Sequence, residues 1–144
     1  MKCIDVLTRD PVCCLPDDTV EQAARLMKKE DVGPIPVIEN RQSKKLLGIV
    51  TDRDLAVKVV AEGRDNKKTK VEEIMTRNPI TCHPNDDLQV ALDAMAQHQI
   101  RRVPVVDDQG RISGIIAQAD VATRTDDPER TADVVEEISR SSIH

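Results

Sequence analysis

The chain has 144 residues, 33% of them charged, and a formal net charge of −5, which suits one ordinary domain or two small halves sharing a core. It contains no Phe, Tyr or Trp, so the core is aliphatic and no ring can stack on a base, which removes the aromatic platforms of single-strand binders. The acidic balance disfavours a duplex-binding face, no apolar run nears the ~20 residues of a membrane span, and MKCIDVLTRD lacks a signal-peptide stretch; the expectation is a cytoplasmic protein with neither membrane nor nucleic-acid partners.

In chain order, residues 12–14 form a short β-prone run after Pro11. Pro16, Asp17 and Asp18 end it, and Asp18 with Glu21 has the spacing of a capping box. Val20, Ala23, Ala24 and Met27 then recur on one face of a helix running to about residue 30. A buried strand over 35–38 follows, bent or at an edge because of Pro34 and Pro36. A polar turn over 39–45 leads to a second strand over 46–51 and a helix over 52–62. GRDNKKTK, 63–70, reads as a linker.

The second part repeats the first. LTRDPVCCLPDD from Leu7 returns as MTRNPITCHPND from Met75, GPIPV from Gly33 as RRVPV from Arg101, and GIVTDRDLA from Gly48 as GIIAQADVA from Gly114. Thr8 to Thr76 and Pro36 to Pro104 are steps of 68 residues, whereas Gly48 to Gly114 and Asp54 to Asp120 are steps of 66. The difference falls between Val37 and Gly48, where a longer polar turn costs little. The expected elements are a strand near 80–82, a helix over 87–98 burying Leu88, Ala91, Leu92 and Met95, a strand over 103–106, a hairpin turn at 107–110 and a strand over 112–117 before a short helix. The expectation is an α/β (α+β) fold of two β-α-β-β-α repeats, 1–62 and 71–125, packed sheet to sheet about a pseudo-twofold axis. A tail over 126–144, helical to about 140, carries Ala132, Val135 and Ile138 as a thin apolar stripe that docks or frays.

Gly48–Asp54, GIVTDRD, is the sharpest local string. A strand ends and a helix begins at Thr51, where unpaired N–H groups attract anions. Its hydroxyl and the Asp54 carboxylate suit a ribose diol, but Thr51-x-x-Asp54 is equally a helix cap, and spacing alone favours the cap. Cys3, Cys13, Cys14 and Cys82 make no CxxC pair. Free buried thiols are the default; a thiol or metal sensor built on Cys13, Cys14, Cys82 and His83 is the minor alternative. No nucleophile–base pair or phosphate loop stands out, so the chain reads as no enzyme.

These doubled, ordered strings resemble a tandem of CBS domains (named for cystathionine β-synthase), the two-domain unit called a Bateman module. The resemblance rests on the Thr-Arg-Asp-Pro and Thr-Arg-Asn-Pro starts, the hydrophobic-x-Pro-Val strands and the two Gly-Ile endings, and covers residues 3 to about 124. It implies a non-catalytic regulatory module that binds AMP, ADP, ATP or S-adenosylmethionine in clefts between the repeats. It also implies a homodimer and a regulated protein acting in trans. Carried over by position, it nominates Thr51, Asp54, Ile35, Thr76 and Pro79 for one cleft, and Asp120, Arg101, Arg102, Val103, Thr8 and Pro11 for the other. The clefts depart from the pattern in opposite ways. The first keeps Thr51 and Asp54 but has Gly33-Pro34 where a basic pair can sit; the second has Arg101-Arg102, suited to phosphate oxygens, but Ala117 in place of the hydroxyl. Two unequal sites are therefore expected. A ligand-free dimeric interaction module is the alternative on the same fold.

Overall fold

The computed structural model describes residues 1–124, and side chains through 122. The tail expected over 126–144 lies outside the described residues. Two compact units emerge: a contiguous unit, Val12–Pro79, and a split unit made of Met1–Pro11 and the chain from Ile80 onward.

In the contiguous unit, α1 (Val20–Glu30) precedes β2 (Ile35–Ile38) and β3 (Leu46–Val50). A short α2 (Asp52–Leu55) widens into a π-helical turn, Ala56–Val60, where the β-branched run Val57, Val59, Val60 weakens regular helix. After α3 (Val71–Ile74), a two-residue strand, β4 (Thr76–Arg77), completes the antiparallel sheet in the order β2-β3-β4. The split unit opens on a 3-10 turn at Cys3–Asp5 and β1 (Thr8–Arg9). It continues with α4 (Leu88–His98), β5 (Arg102–Val106), β6 (Ile112–Ala117) and α5 (Gln118–Arg124). Its sheet order is β1-β6-β5, again antiparallel.

Each sheet thus takes its third strand from the other sequence repeat. β1 belongs to the first repeat and pairs with β6, Thr8 opposite Ile115; β4 belongs to the second and pairs with β3, Thr76 opposite Ile49. Gly48 and Gly114 make these pairings possible. A Cβ on Gly48 would stand 2.5 Å from the Thr76 carbonyl oxygen, and one on Gly114 2.5 Å from that of Thr8. The short strands turn away through left-handed Asp10 (φ 50) and Asn78 (φ 52), residue types that tolerate this conformation.

Several expectations are corrected. The runs 12–14 and 80–82 are single parallel bridges, Cys14 to Val37 and Cys82 to Val105, rather than strands. Pro11 and Pro16 bracket the first and Pro79 and Pro84 the second, and proline cannot donate to a ladder. The capping box of α1 is Thr19 with Gln22, not Asp18 with Glu21; the Asp18 carboxylate instead accepts from the Leu15 N–H at 2.8 Å. Its repeat counterpart Asp86 does the same for the His83 N–H at 2.8 Å. Residues 63–70 are fastened to the start of α1, the Val20 N–H donating to the Thr69 carbonyl and the Glu21 N–H to that of Asn66.

Each unit has its own apolar cluster. Val20, Ala23 and Met27 of α1 meet Ile35, Val37 and Val50 in one. Leu88, Ala91, Leu92 and Met95 of α4 meet Val103, Val105 and Ile116 in the other. Burying such side chains is worth about 1.5–3 kcal/mol each, and it aligns the strand ends that carry the nominated residues.

Candidate functional site

The nominated residues gather at one end of each sheet. In the contiguous unit Ile35 pairs with Val50, so the fully buried Ile35 lies beside the start of α2, and Thr76 is placed by its pairing with Ile49. Pro79, half-buried, follows the left-handed turn at Asn78. Thr51 is the N-cap of α2: its hydroxyl oxygen accepts from the Asp54 N–H at 3.0 Å, while Asp54 Oδ2 accepts from the Thr51 N–H at 3.0 Å. Asp54 is 8% exposed. Its Oδ1 pairs with Lys58 Nζ at 3.1 Å, and that ammonium also donates to the Ile74 carbonyl at 3.0 Å. The capping role is therefore realised. It does not exhaust the groups, because the Thr51 hydroxyl proton is not used in the cap and a carboxylate has about four lone-pair sites.

In the split unit the ends of β5 and β6 set Arg102 directly opposite Ala117 and buried Val103 opposite Ile116. β1 brings in Thr8, whose hydroxyl donates to Asp120 Oδ2 at 3.3 Å. Pro11 is half-buried just beyond. The Gln118 N–H donates to the Arg101 carbonyl at 2.8 Å, closing the gap between β5 and α5. A cavity of about 380 Å³ opens here, lined by Arg101, Arg102, Ala117, Gln118, Ala119 and Ala122. That volume is within the small-molecule range of about 300–1,000 Å³. Two guanidinium groups give it positive charge, and alanines give it a flat apolar wall.

Sequence reasoning did not single out Gln118 or Asp52. Gln118 Oε1 is buried with no hydrogen-bond partner among the described residues, a costly state for a residue that lines the cavity. Asp52 is its counterpart in the repeat and lies against Gly33, its Oδ1 3.1 Å from where a Cβ would stand. Superposing the two GI…D strings would have flagged both, since Asp52 directly follows the nominated Thr51 and Gln118 is its counterpart in the repeat.

The thiol and metal set does not assemble. Cys14 sits in the core of the contiguous unit and Cys82 in that of the split unit. Among the described residues no three His, Cys, Asp or Glu side chains are grouped to hold a metal. Burial pushes the Cys13 thiol up and that of Cys14 up to about 12. The Cys3 thiol beside Cys82, together with burial, pushes Cys82 up, and the same neighbour lowers Cys3. His83 is engaged at both nitrogens, Nε2 with Asp108 at 2.8 Å and Nδ1 accepting from the Asn85 N–H at 3.1 Å.

A second groove, about 570 Å³, runs along α1 and the π-helical turn, with Val20, Ala24, Leu55 and Val59 in its lining. None of the nominated residues lines it. No helix among the described residues is long and apolar enough to cross a membrane.

The CBS domain family matches the chain twice, over residues 3–61 and 71–126. A CBS domain-containing protein of Bacillus subtilis, YhcV, is 40% identical over 97% of this chain and 96% of its own length. Among solved structures, hypoxic response protein I with two coordinated zinc ions superposes with a TM-score of 0.79 at 30% identity, covering 87% of this chain and 99% of that one. CBSX2 in complex with AMP gives 0.73 at 26% identity over 85% and 93%. The CBS domain pair of MJ0100, in complex with 5′-methylthioadenosine and S-adenosyl-L-methionine, gives 0.73 at 32% identity over 85% and 94%.

Proposed function

We propose, given that this chain belongs to the CBS domain family, that it is a regulatory module which binds adenosine-type ligands and signals in trans to another protein. The observation that carries this reading is the cavity of the split unit. There Arg101 and Arg102 offer charge, and at the same sheet end the Thr8 hydroxyl and the Asp120 carboxylate, bonded to each other, are ribose-compatible groups. Each site draws on both sequence repeats, since β1 and β4 are exchanged. A bound nucleotide would fix the short strand against the helix start and so bias the surface a partner reads. The solved relatives with AMP, methylthioadenosine and S-adenosylmethionine support the ligand class. The module acts by binding rather than catalysis, and its four buried cysteines, none in a disulfide, suit a reducing cytoplasm.

The test is a thermal-shift panel of AMP, ADP, ATP, NAD and S-adenosylmethionine on the full chain. Binding to the folded state raises Tm with ligand concentration by mass action. A flat panel, with Asp54→Ala and Asp120→Ala also without effect, overturns the reading.

A second reading, a ligand-free dimeric interaction module, is favoured by one observation. Val57 (48% exposed) and Val60 (77% exposed) stand on the π-helical turn beside the apolar groove. We propose that a second copy of the chain covers this face. Sedimentation of the wild type against Val60→Glu tests the dimer. Mass spectrometry of denatured, freshly purified protein separates the readings, because a retained adenosine compound excludes the ligand-free one.

A further inference from the structure

One backbone frame is repeated in both units, and only one copy of it holds two thiols. At the 68-residue step Cys3 corresponds to Val71, and Cys82 to Cys14. In the split unit the Cys3 N–H donates to the Asp86 carbonyl at 2.9 Å and the Ile4 N–H to that of Pro84 at 3.0 Å. In the contiguous unit the Val71 N–H donates to the Asp18 carbonyl at 2.8 Å and the Glu72 N–H to that of Pro16 at 3.2 Å. The Cys82 N–H donates to the Pro104 carbonyl and its carbonyl accepts from the Val106 N–H, as Cys14 does with Pro36 and Ile38. The frame thus packs Cys14 into one core with Val71, and sets Cys82 beside Cys3 in the other.

Valine at residue 71 fills this place in the frame, so packing does not require a thiol at residue 3. The two thiols differ in how firmly they are held. Cys82 lies between two bonds to β5. Cys3 sits in a single 3-10 turn, and of residues 1–5 it alone is buried. Its Sγ reaches the Asp87 carbonyl at 3.8 Å, a weak contact for sulfur. A segment so exposed, fastened by few backbone bonds, opens locally at a small fraction of the cost of unfolding the unit. Opening lifts Cys3 out of the core, and closing returns it to Cys82. β1 begins five residues beyond Cys3, so whatever pins Cys3 also shortens the free chain leading to Thr8.

We propose that Cys3 and Cys82 are a redox-active pair, closed by peroxide into a disulfide that locks β1 onto its sheet. Hydrogen peroxide is little larger than water and needs only a small opening. The Cys3 thiolate attacks one peroxide oxygen; an S–O bond forms, the O–O bond breaks, and the departing hydroxide takes a proton to become water. When the segment closes, the Cys82 sulfur attacks the sulfenic sulfur of Cys3. The S–S bond forms, the S–O bond breaks, and hydroxide leaves with the Cys82 proton as a second water. Two thiols thereby lose two electrons and two protons, and one peroxide is reduced to two waters. Thiols of a reducing compartment reverse the link by exchange. Cys13, Cys14 and His83 take no part, and the pair works whether or not a nucleotide is bound.

The experiment exposes the reduced full chain to hydrogen peroxide, alkylates the remaining thiols in urea, and maps the peptides by mass spectrometry. The expected product is a linked peptide pair joining Cys3 to Cys82, with Cys13 and Cys14 alkylated and the link lost in dithiothreitol. Cys14→Ala should form the same link. Cys3→Val, which installs the residue found at the matching position 71, should fold as the wild type does and form no link. Amide exchange then reads the lock. Oxidation should slow exchange at residues 8–9 by about tenfold in the wild type and leave it unchanged in Cys3→Val. Four alkylated cysteines after peroxide, sulfinic acid at Cys3 without a link, or a link that joins two chains or another pair, overturns the proposal. A Cys3–Cys82 link with unchanged exchange at residues 8–9 overturns the lock.

Discussion

The hydroxyl of Thr8 reaches the carboxylate of Asp120, at 3.3 Å and across 112 residues of chain. It joins β1 of the first repeat to the start of α5 in the second. The matching aspartate, Asp54, serves its own helix instead, accepting from the Thr51 N–H and pairing with Lys58. Two residues equivalent in the repeat thus hold different things, one a neighbouring strand and the other a helix start.

The Thr8–Asp120 bond should contribute little energy but measurable coupling. Its charged acceptor strengthens it, while its exposure weakens it, so about 0.5–1 kcal/mol is expected. A double-mutant cycle with Thr8→Val and Asp120→Asn, followed by urea unfolding, should return a coupling of that size. Additive single effects would mean that the strand is held by its ladder alone.

Thr51→Ala removes the side-chain cap of α2 and leaves the Asp54 N–H without its partner. The expected cost is about 1 kcal/mol, with Thr51→Ser close to wild type. Urea midpoints measure this. If Thr51 also touches ligand, the Ala variant loses affinity for that ligand beyond what its lower stability explains.

Gly48→Ala and Gly114→Ala place a methyl 2.5 Å from the carbonyl oxygens of Thr76 and Thr8. Something must shift, and the short strand is the element with fewest bonds to hold it. Each substitution should cost about 1–3 kcal/mol. Amide exchange should localise the loss, with protection falling at residues 76–77 in the first variant and 8–9 in the second.

The buried thiols predict loss of stability on the alkaline side. The Cys14 thiol, ordinarily near 9, is pushed up to about 12 by burial. A group whose folded pKa is raised contributes stability that is complete below its unfolded pKa and is lost as pH climbs to the folded one. Cys13 and Cys82 act in the same sense, and Cys3, which is lowered, partly offsets them. The urea midpoint should fall between pH ~9 and ~12 and fall less in Cys14→Ala. At pH 8 a thiol reagent should find all four cysteines in urea and essentially none in the native protein.

The α1 and α4 stripes and the strands over 35–38 and 112–117 were legible because period and burial agree: Val20, Ala23 and Met27 repeat at helical spacing and are buried, although Ala24, expected on the same face, is exposed. The candidate residues at both sheet ends were nominated only through the resemblance, residue by residue. What stayed hidden was set by contacts distant in sequence. Strands of two residues, Thr8–Arg9 and Thr76–Arg77, carry no period and exist only because Gly114 and Gly48 let them approach. Asp52 and Gln118 look like ordinary first-turn residues. Their meaning comes from what they face: Gly33 for one, a cavity wall for the other.

The exchange of β1 and β4 has a consequence for synthesis. Every strand of the β2-β3-β4 sheet lies between Ile35 and Arg77, so that sheet can close while the rest of the chain is still on the ribosome. Thr8 and Arg9, made earlier, find their partners only when Ile115 and Gly114 emerge. Of the strands in these two sheets, β1 is therefore made before all the others and is among the last to pair, and it waits as an unpaired edge throughout. The polar, charged pair Thr8-Arg9, flanked by Asp10 and Pro11, is suited to that wait, because charge and proline discourage an open edge from pairing with the wrong partner.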